Sequence, residues 1–204
     1  MAVVTGGSGG VGGAVVRELT GRGWDVVSWS RRDGMDAADE AAVDRAAAGL
    51  ARWDALVNNA AVLVPRLVAE MAAAEWDETL RAGLRGAFLC SRAAFRRMRP
   101  GGTIVNVSSL SGVAGTEKFP RMAAYVAAKS GLAGLTEALA VEGRPLGIRV
   151  NAVSPGAVAT PMLALSGAPK EPALRPEQVA RVIAWLAGDE SSPLSGANLR
   201  IDAG

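Results

Sequence analysis

Histidine is absent from this chain, and tyrosine and cysteine each occur once. Without imidazole, any proton transfer near neutral pH must find another donor. The single cysteine, Cys90, excludes an internal disulfide and suits a reducing compartment. It lies in an apolar helical stretch and reads as core, not as a nucleophile. Nowhere do apolar residues run for the roughly 18 positions a membrane span needs, and no charged segment with a long apolar run precedes the first strand. A soluble, cytoplasmic protein is expected. The formal net charge is only +2. Its densest basic group, Arg92, Arg96, Arg97 and Arg99, ends a helix before Pro100-Gly101-Gly102, where cations complement the helix C-terminus. This reads as a solvated cap and not as a nucleic-acid surface. Neither a nucleic-acid partner nor a membrane partner is expected, and no metal.

What the chain does have is apolar residues and glycine. Half of its 204 residues are hydrophobic, enough to bury a substantial core, and residues 1–204 are expected to form one domain. Near the start, Val3-Val4-Thr5-Gly6-Gly7-Ser8-Gly9-Gly10-Val11-Gly12 runs from an apolar strand into a glycine-rich turn, and residues 14–19 then read as helix. Glycines let the backbone turn tightly and approach a ligand, and the helix N-terminus offers unpaired N–H groups to a pyrophosphate. An ordinary strand-to-helix loop is the bland alternative. Further on, Ala124-Tyr125-Val126-Ala127-Ala128-Lys129 puts a phenol and an ammonium four positions apart, on one helix face. A neighbouring cation favours phenolate and brings tyrosine, with a free pKa of about 10, toward the range of a general acid or base. Alone, such a pair also arises on ordinary helix surfaces.

Together these stretches resemble the short-chain dehydrogenase/reductase family over nearly the whole chain. Thr5-Gly6 with Gly10 and Gly12 is similar to its cofactor loop, and Asn58-Asn59-Ala60-Ala61 to its Asn-Asn-Ala-Gly stretch. Ser109, Tyr125 and Lys129 are similar to its catalytic serine, tyrosine and lysine. Pro155-Gly156 with Thr160 is similar to a later cofactor segment. The resemblance implies an α/β fold: a single-domain, doubly wound parallel sheet of the Rossmann type. It implies hydride transfer between nicotinamide and a small-molecule carbonyl or alcohol, with Tyr125 as acid/base, Ser109 polarising the substrate oxygen, and Lys129 holding the ribose and lowering the phenol pKa. It further implies cofactor contacts from Gly6, Ser8, Gly10, Val11, Gly12, Asn59, Ala60, Tyr125, Lys129, Pro155, Gly156, Val158 and Thr160. A homodimer or homotetramer, paired through helices near 72–99 and 123–142, is implied as well.

The second strand, 25–30, ends in serine followed by Arg31-Arg32, where an NAD enzyme of the family carries a carboxylate for the ribose hydroxyls. Guanidinium pairs well with phosphate, so NADP is expected with NAD as the alternative, and Arg31 is the candidate for the 2′-phosphate because it comes first. Two surface arginines in a turn are the alternative. Residues 31–35 alone separate this strand from Asp36, which resembles the family's adenine contact. A parallel crossover needs roughly a dozen residues. The usual third strand and the helix before it are therefore expected to be missing, with Asp36 approaching adenine from a loop.

A helical pattern covers 72–99, with Trp76, Leu80, Leu84 and Phe88 at packing spacing. In the family this segment carries an asparagine that supports a water in the proton relay; Gly83 stands there. The loop 112–124 is expected to shape substrate access. Residues 163–175 are short and broken by Pro169 and Pro172, which implies an abbreviated substrate lid. Two rivals to carbonyl reduction follow. One is a nucleotide-binding protein of this fold with weak or lost catalysis. The other is epimerisation, for which the C-terminal region is too short.

Overall fold

The structure, a computed structural model, describes residues 1–167 and 173–202. Short apolar strands alternate with helices along the chain. In order they are β1 (Ala2–Thr5), α1 (Gly10–Gly21), β2 (Val26–Trp29), α2 (Glu40–Ala48), β3 (Ala55–Asn58), α3 (Ala73–Leu80), α4 (Gly86–Phe95), β4 (Thr103–Val107), α5 (Ala123–Gly143), β5 (Arg149–Pro155), α6 (Pro161–Ser166), α7 (Pro176–Ala187) and β6 (Asn198–Ile201). All neighbouring strands pair in parallel in the order β2-β1-β3-β4-β5-β6. A parallel sheet must be covered on both faces, which is why β1, β3 and β4 are buried along their whole length. Leu19 of α1 with Ile183 and Leu186 of α7 covers one face. Val43 of α2, Leu89 of α4 and Leu139 of α5 cover the other.

The sheet ends at β2, as the short connection requires. Residues Arg31–Asp33 form a single 3₁₀ turn, closed by Gly34 in the left-handed region at φ 76°. The chain then passes directly to α2, where the Asp39 carboxylate caps the helix by accepting the Ala42 N–H at 3.1 Å. No strand lies outside β2 among the described residues. In place of a further helix, Trp29 meets Trp53 edge-on, with ring centroids 5.5 Å apart.

Three expectations change. The helix read over 72–99 is interrupted by a π-helical turn at Arg81–Arg85 and ends at Phe95. Glycines explain the close fit there: a Cβ on Gly86 would lie 3.3 Å from the Ala37 carbonyl oxygen, and one on Gly131 of α5 would lie 2.9 Å from Leu84 Cδ2. The stripe read as packing is also partly open, since Trp76 is 38 % and Phe88 44 % exposed. Arg92, read as part of the cap, instead pairs with Glu40 at 2.7 Å. Of the lid, the helix Pro161–Ser166 is seen, whereas Pro169 and Pro172 lie outside the described residues.

The β1–α1 turn is shaped by packing beneath it. A Cβ on Gly12 would sit 2.3 Å from the Gly6 carbonyl oxygen and 2.4 Å from Asn59 Nδ2, whereas nothing lies within 4 Å of one on Gly21. Gly12→Ala is expected to destabilise the fold by about 1–3 kcal/mol in denaturant unfolding. Gly21→Ala, near the other end of the same helix, should cost nothing. Equal effects would refute the packing account.

Candidate active site

The carboxyl ends of β1, β3, β4 and β5 open onto one cleft of about 910 Å³, the position where open α/β sheets bind ligands. Gly6, Ser8, Gly10 and Val11 line it from the glycine turn, and Arg31 and Asp36 from the segment after β2. Asn59 and Ala60 line it after β3, Ser109 after β4, Tyr125 and Lys129 from α5, and Pro155, Gly156, Val158 and Thr160 at and beyond the end of β5. Gly12 is the exception among the expected residues. It is buried beneath the turn, so its lack of a side chain serves packing and not ligand approach.

At one end of the cleft α1 begins at Gly9 with no side-chain cap and no acid in its first turn. Its N–H groups and positive dipole end are thus left for an anion. Gly10 takes a φ of 54°, a left-handed conformation that suits glycine. These features fit the pyrophosphate of a dinucleotide. Asn59 holds the turn. Its amide donates to the Thr5 and Gly6 carbonyls at 3.1 and 3.2 Å, and the Asn59 and Ala60 N–H groups both donate to Thr5 Oγ1 at 3.0 Å. Asn58, the residue before Asn59, is buried in a polar network below the cleft. Its amide donates to Asn106 Oδ1 at 2.8 Å and Ser91 Oγ at 3.0 Å, and Asn106 donates to Thr136 Oγ1 at 2.9 Å.

At the other end, the turn after β4 lies directly on α5. Ser108 Oγ donates to the Lys129 carbonyl at 2.9 Å, and Ser130 Oγ donates to the Gly112 carbonyl at 3.0 Å. A Cβ on Gly112 would be 2.6 Å from the Lys129 carbonyl carbon. This docking brings Ser109 to Tyr125. The Ser109 hydroxyl accepts the Ser111 N–H at 3.1 Å and acts on the phenol so as to favour phenolate. Lys129 Nζ stands 5.6 Å from the Tyr125 ring centroid and donates to the Val107 carbonyl at 2.6 Å.

The electrostatics depart from expectation. Burial pushes the Tyr125 phenol up to about 12 and outweighs the Ser109 hydrogen bond, which favours phenolate. The lowering expected from Lys129 is not realised here. Burial likewise pulls the Lys129 ammonium down to about 8, and it is only 3 % exposed. The phenol is therefore protonated at neutral pH, the form that can donate. Gly83, in the relay asparagine's place, is buried in the π-helical turn; a Cβ there would meet the Ala128 methyl at 3.4 Å. Leu110, Phe119, Met122, Met162 and Leu163 give the cleft an apolar wall near Tyr125. Cys90 is fully buried, and desolvation pushes its thiol up to about 12, so it is inert core.

Sequence reasoning missed a charge cluster at the β2 end of the cleft. Arg31 pairs with Glu78 at 2.9 Å, and Arg81 bridges Glu78 at 2.6 Å and Asp36 at 3.0 Å. Burial acts to raise the Asp36 carboxyl, but the Ala38 N–H and Arg81 hold it below the usual range. The cluster's signal was the short 31–35 segment, which lets α3 reach the end of β2.

A parallel sheet opening on a glycine turn, with a serine, a tyrosine and a lysine gathered beside it, defines a nucleotide-dependent oxidoreductase scaffold. Comparison with known proteins narrows the class. The family described as enoyl-(acyl carrier protein) reductase matches residues 34–204. The chain is 38% identical over 240 residues to cis-4-hydroxycyclohexanecarboxylate dehydrogenase of Sinomonas cyclohexanicum, covering 100% of this chain and 95% of the relative. It is 34% identical over 234 residues to a 3-alpha-(or 20-beta)-hydroxysteroid dehydrogenase of Mycobacterium tuberculosis, covering 100% of this chain and 88% of the relative. The crystal structure of a short chain dehydrogenase from Burkholderia cenocepacia in complex with NADP superimposes with a TM-score of 0.89 at 30% identity, covering 100% of this chain and 96% of that one. The chain belongs to the short-chain dehydrogenase/reductase family.

The buried ammonium has a measurable signature. A folded-state value of about 8 lies below the usual 10.5, so between these the unfolded state binds more protons and stability rises with pH. The cost of burying the charge is full below pH 8 and is relieved above it. Lys129→Met removes this dependence. Its stability relative to the parent protein should fall by about 2 kcal/mol between pH 6 and pH 9.5 in ligand-free unfolding. A pH-independent difference would overturn the assignment.

Proposed function

We propose that the protein is an NADP(H)-dependent oxidoreductase that interconverts a carbonyl and an alcohol. The observation that carries this is the convergence of Ser109, Tyr125 and Lys129 on one cleft that also holds the uncapped start of α1, Arg31 and Arg32. When bound, nicotinamide supplies or accepts the hydride. The chain's own residues handle the oxygen. Tyr125, protonated at neutral pH, gives its proton to the carbonyl oxygen, and Ser109 hydrogen-bonds that oxygen and the phenol. Lys129 holds the ribose and supplies positive charge beside the phenolate that remains. Gly6, Ser8, Gly10 and Val11 take the pyrophosphate, Asn59 and Ala60 wall the nucleotide, and Asp36 takes the adenine. Pro155, Gly156, Val158 and Thr160 take the nicotinamide. The relatives are named for secondary alcohols, and the Burkholderia protein holds NADP, which supports this class of substrate and this cofactor over NAD.

Gly83 favours a second reading, nucleotide binding without useful turnover, because no side chain there supports a relay water. NADPH fluorescence titration followed by oxidation with a panel of ketones, quinones and 3-oxoacyl thioesters separates the two. Turnover is expected, and Tyr125→Phe should lower kcat by about 10²–10⁴-fold, far more than it changes NADPH affinity. Binding without turnover, unaffected by Tyr125→Phe, would favour the second reading.

The same reading takes residues 1–204 as one cytoplasmic domain that assembles as a homodimer or homotetramer. The exposed Phe88, with Leu80, Leu84 and Leu135 beside it, supplies an apolar face on the paired long helices, and Trp76 is exposed on α3. Sedimentation should show a dimer or larger, and Phe88→Glu should shift it toward monomer. A parent protein that sediments only as monomer overturns this.

A further inference from the structure

We infer that Glu78 sets the enzyme's preference between the two nicotinamide dinucleotides, by holding Arg31 in an ion pair at the end of the cleft that receives the adenosine ribose. The inference rests on the proposed binding of a dinucleotide there. Arg31 and Arg32 both line that end of the cleft. They are not equivalent. Arg31 Nη1 meets Glu78 Oε1 at 2.9 Å, and the other Glu78 oxygen takes Arg81 Nε at 2.6 Å. Arg81 continues to Asp36 at 3.0 Å, whose second oxygen accepts the Ala38 N–H at 2.9 Å. Two guanidinium groups and two carboxylates thus neutralise one another. Arg32 enters no ion pair among the described residues.

The consequence follows from charge. A ribose 2′-phosphate gains most from a guanidinium whose donors are uncommitted. To engage Arg31 it must displace a carboxylate already bonded there, while the charge of Glu78 repels it. Arg32 is the cation that can answer the phosphate from the start. An unphosphorylated ribose carries no such charge, and its binding is indifferent to the pair. Only a 3₁₀ turn and a short loop lie between β2 and α2, and Glu78 of α3 pairs with Arg31 there from just outside the cleft lining. Glu78 is a positioning residue: it acts through Arg31.

The test is equilibrium binding of NADP+ and NAD+ to the parent protein and to Glu78→Gln, Arg31→Gln, Arg32→Gln and Glu78→Gln/Arg31→Gln, by intrinsic tryptophan quenching or calorimetry. Glu78→Gln should tighten NADP+ roughly fivefold and leave NAD+ within about twofold, the scale of a partly exposed ion pair. Arg32→Gln should weaken NADP+ about tenfold. Arg31→Gln should cost little in the parent protein and several-fold when Glu78 is already Gln, which is the coupling the pair predicts. Glu78→Asp, too short to keep the contact, should act in the same direction as Glu78→Gln and guards against misfolding of that variant. An NADP+ to NAD+ affinity ratio unchanged by both Glu78 substitutions overturns the inference while leaving nucleotide binding intact. If the folded parent protein binds neither nucleotide, both the inference and the proposed site fall.

Discussion

The site depends on one contact, that of the turn after β4 with the helix α5. Gly112 has no side chain, and a methyl there would lie 2.6 Å from the Lys129 backbone. That space lets Ser108 and Ser130 tie the two segments together through the carbonyls of Lys129 and Gly112. With the turn and the helix joined in this way, Ser109 has one place to be, beside Tyr125. The remaining freedom is taken by β4 itself, which is fully buried and paired on both sides. Reacting groups on a rigid scaffold stay within hydrogen-bond reach without further ordering.

The same contact fixes the environment of the two titrating groups. Burial favours the uncharged form of each, so the phenol is held high and the ammonium low. Lys129 meets a carbonyl, that of Val107, and not a carboxylate. A carboxylate would hold the ammonium and cancel its field at the phenol. A neutral carbonyl leaves the ammonium uncancelled, so the two groups share one desolvated environment in which burial dominates both.

Much of this was legible in the sequence because it depends on local rules. A glycine turn between an apolar strand and a helix, Tyr125 and Lys129 one helical turn apart, and a connection too short for a crossover each have a single reading in the backbone. All three hold in the structure. What was not legible required distance or depth. Gly12 looked like a ligand-facing glycine, and only the proximity of Gly6 and Asn59 shows that it fills no space because none exists. The direction of the Tyr125 shift turns on burial, which no spacing reports. Glu78 is 47 residues from Arg31 in sequence, and nothing local joins them. Trp76 and Phe88 kept helical period but face outward, because period shows that a face is apolar and not what covers it.

The ties from Asn59 to the Thr5 and Gly6 carbonyls bear on affinity as well as shape. A glycine-rich segment left to itself samples many backbone conformations, and a ligand that had to select one of them would lose part of its binding free energy to that ordering. Here a side chain just past the neighbouring strand β3 has already ordered the cradle, so the entropic penalty falls on folding and not on association. A dinucleotide reaching this protein meets a preorganised anion seat, and swift capture needs no loop closure there.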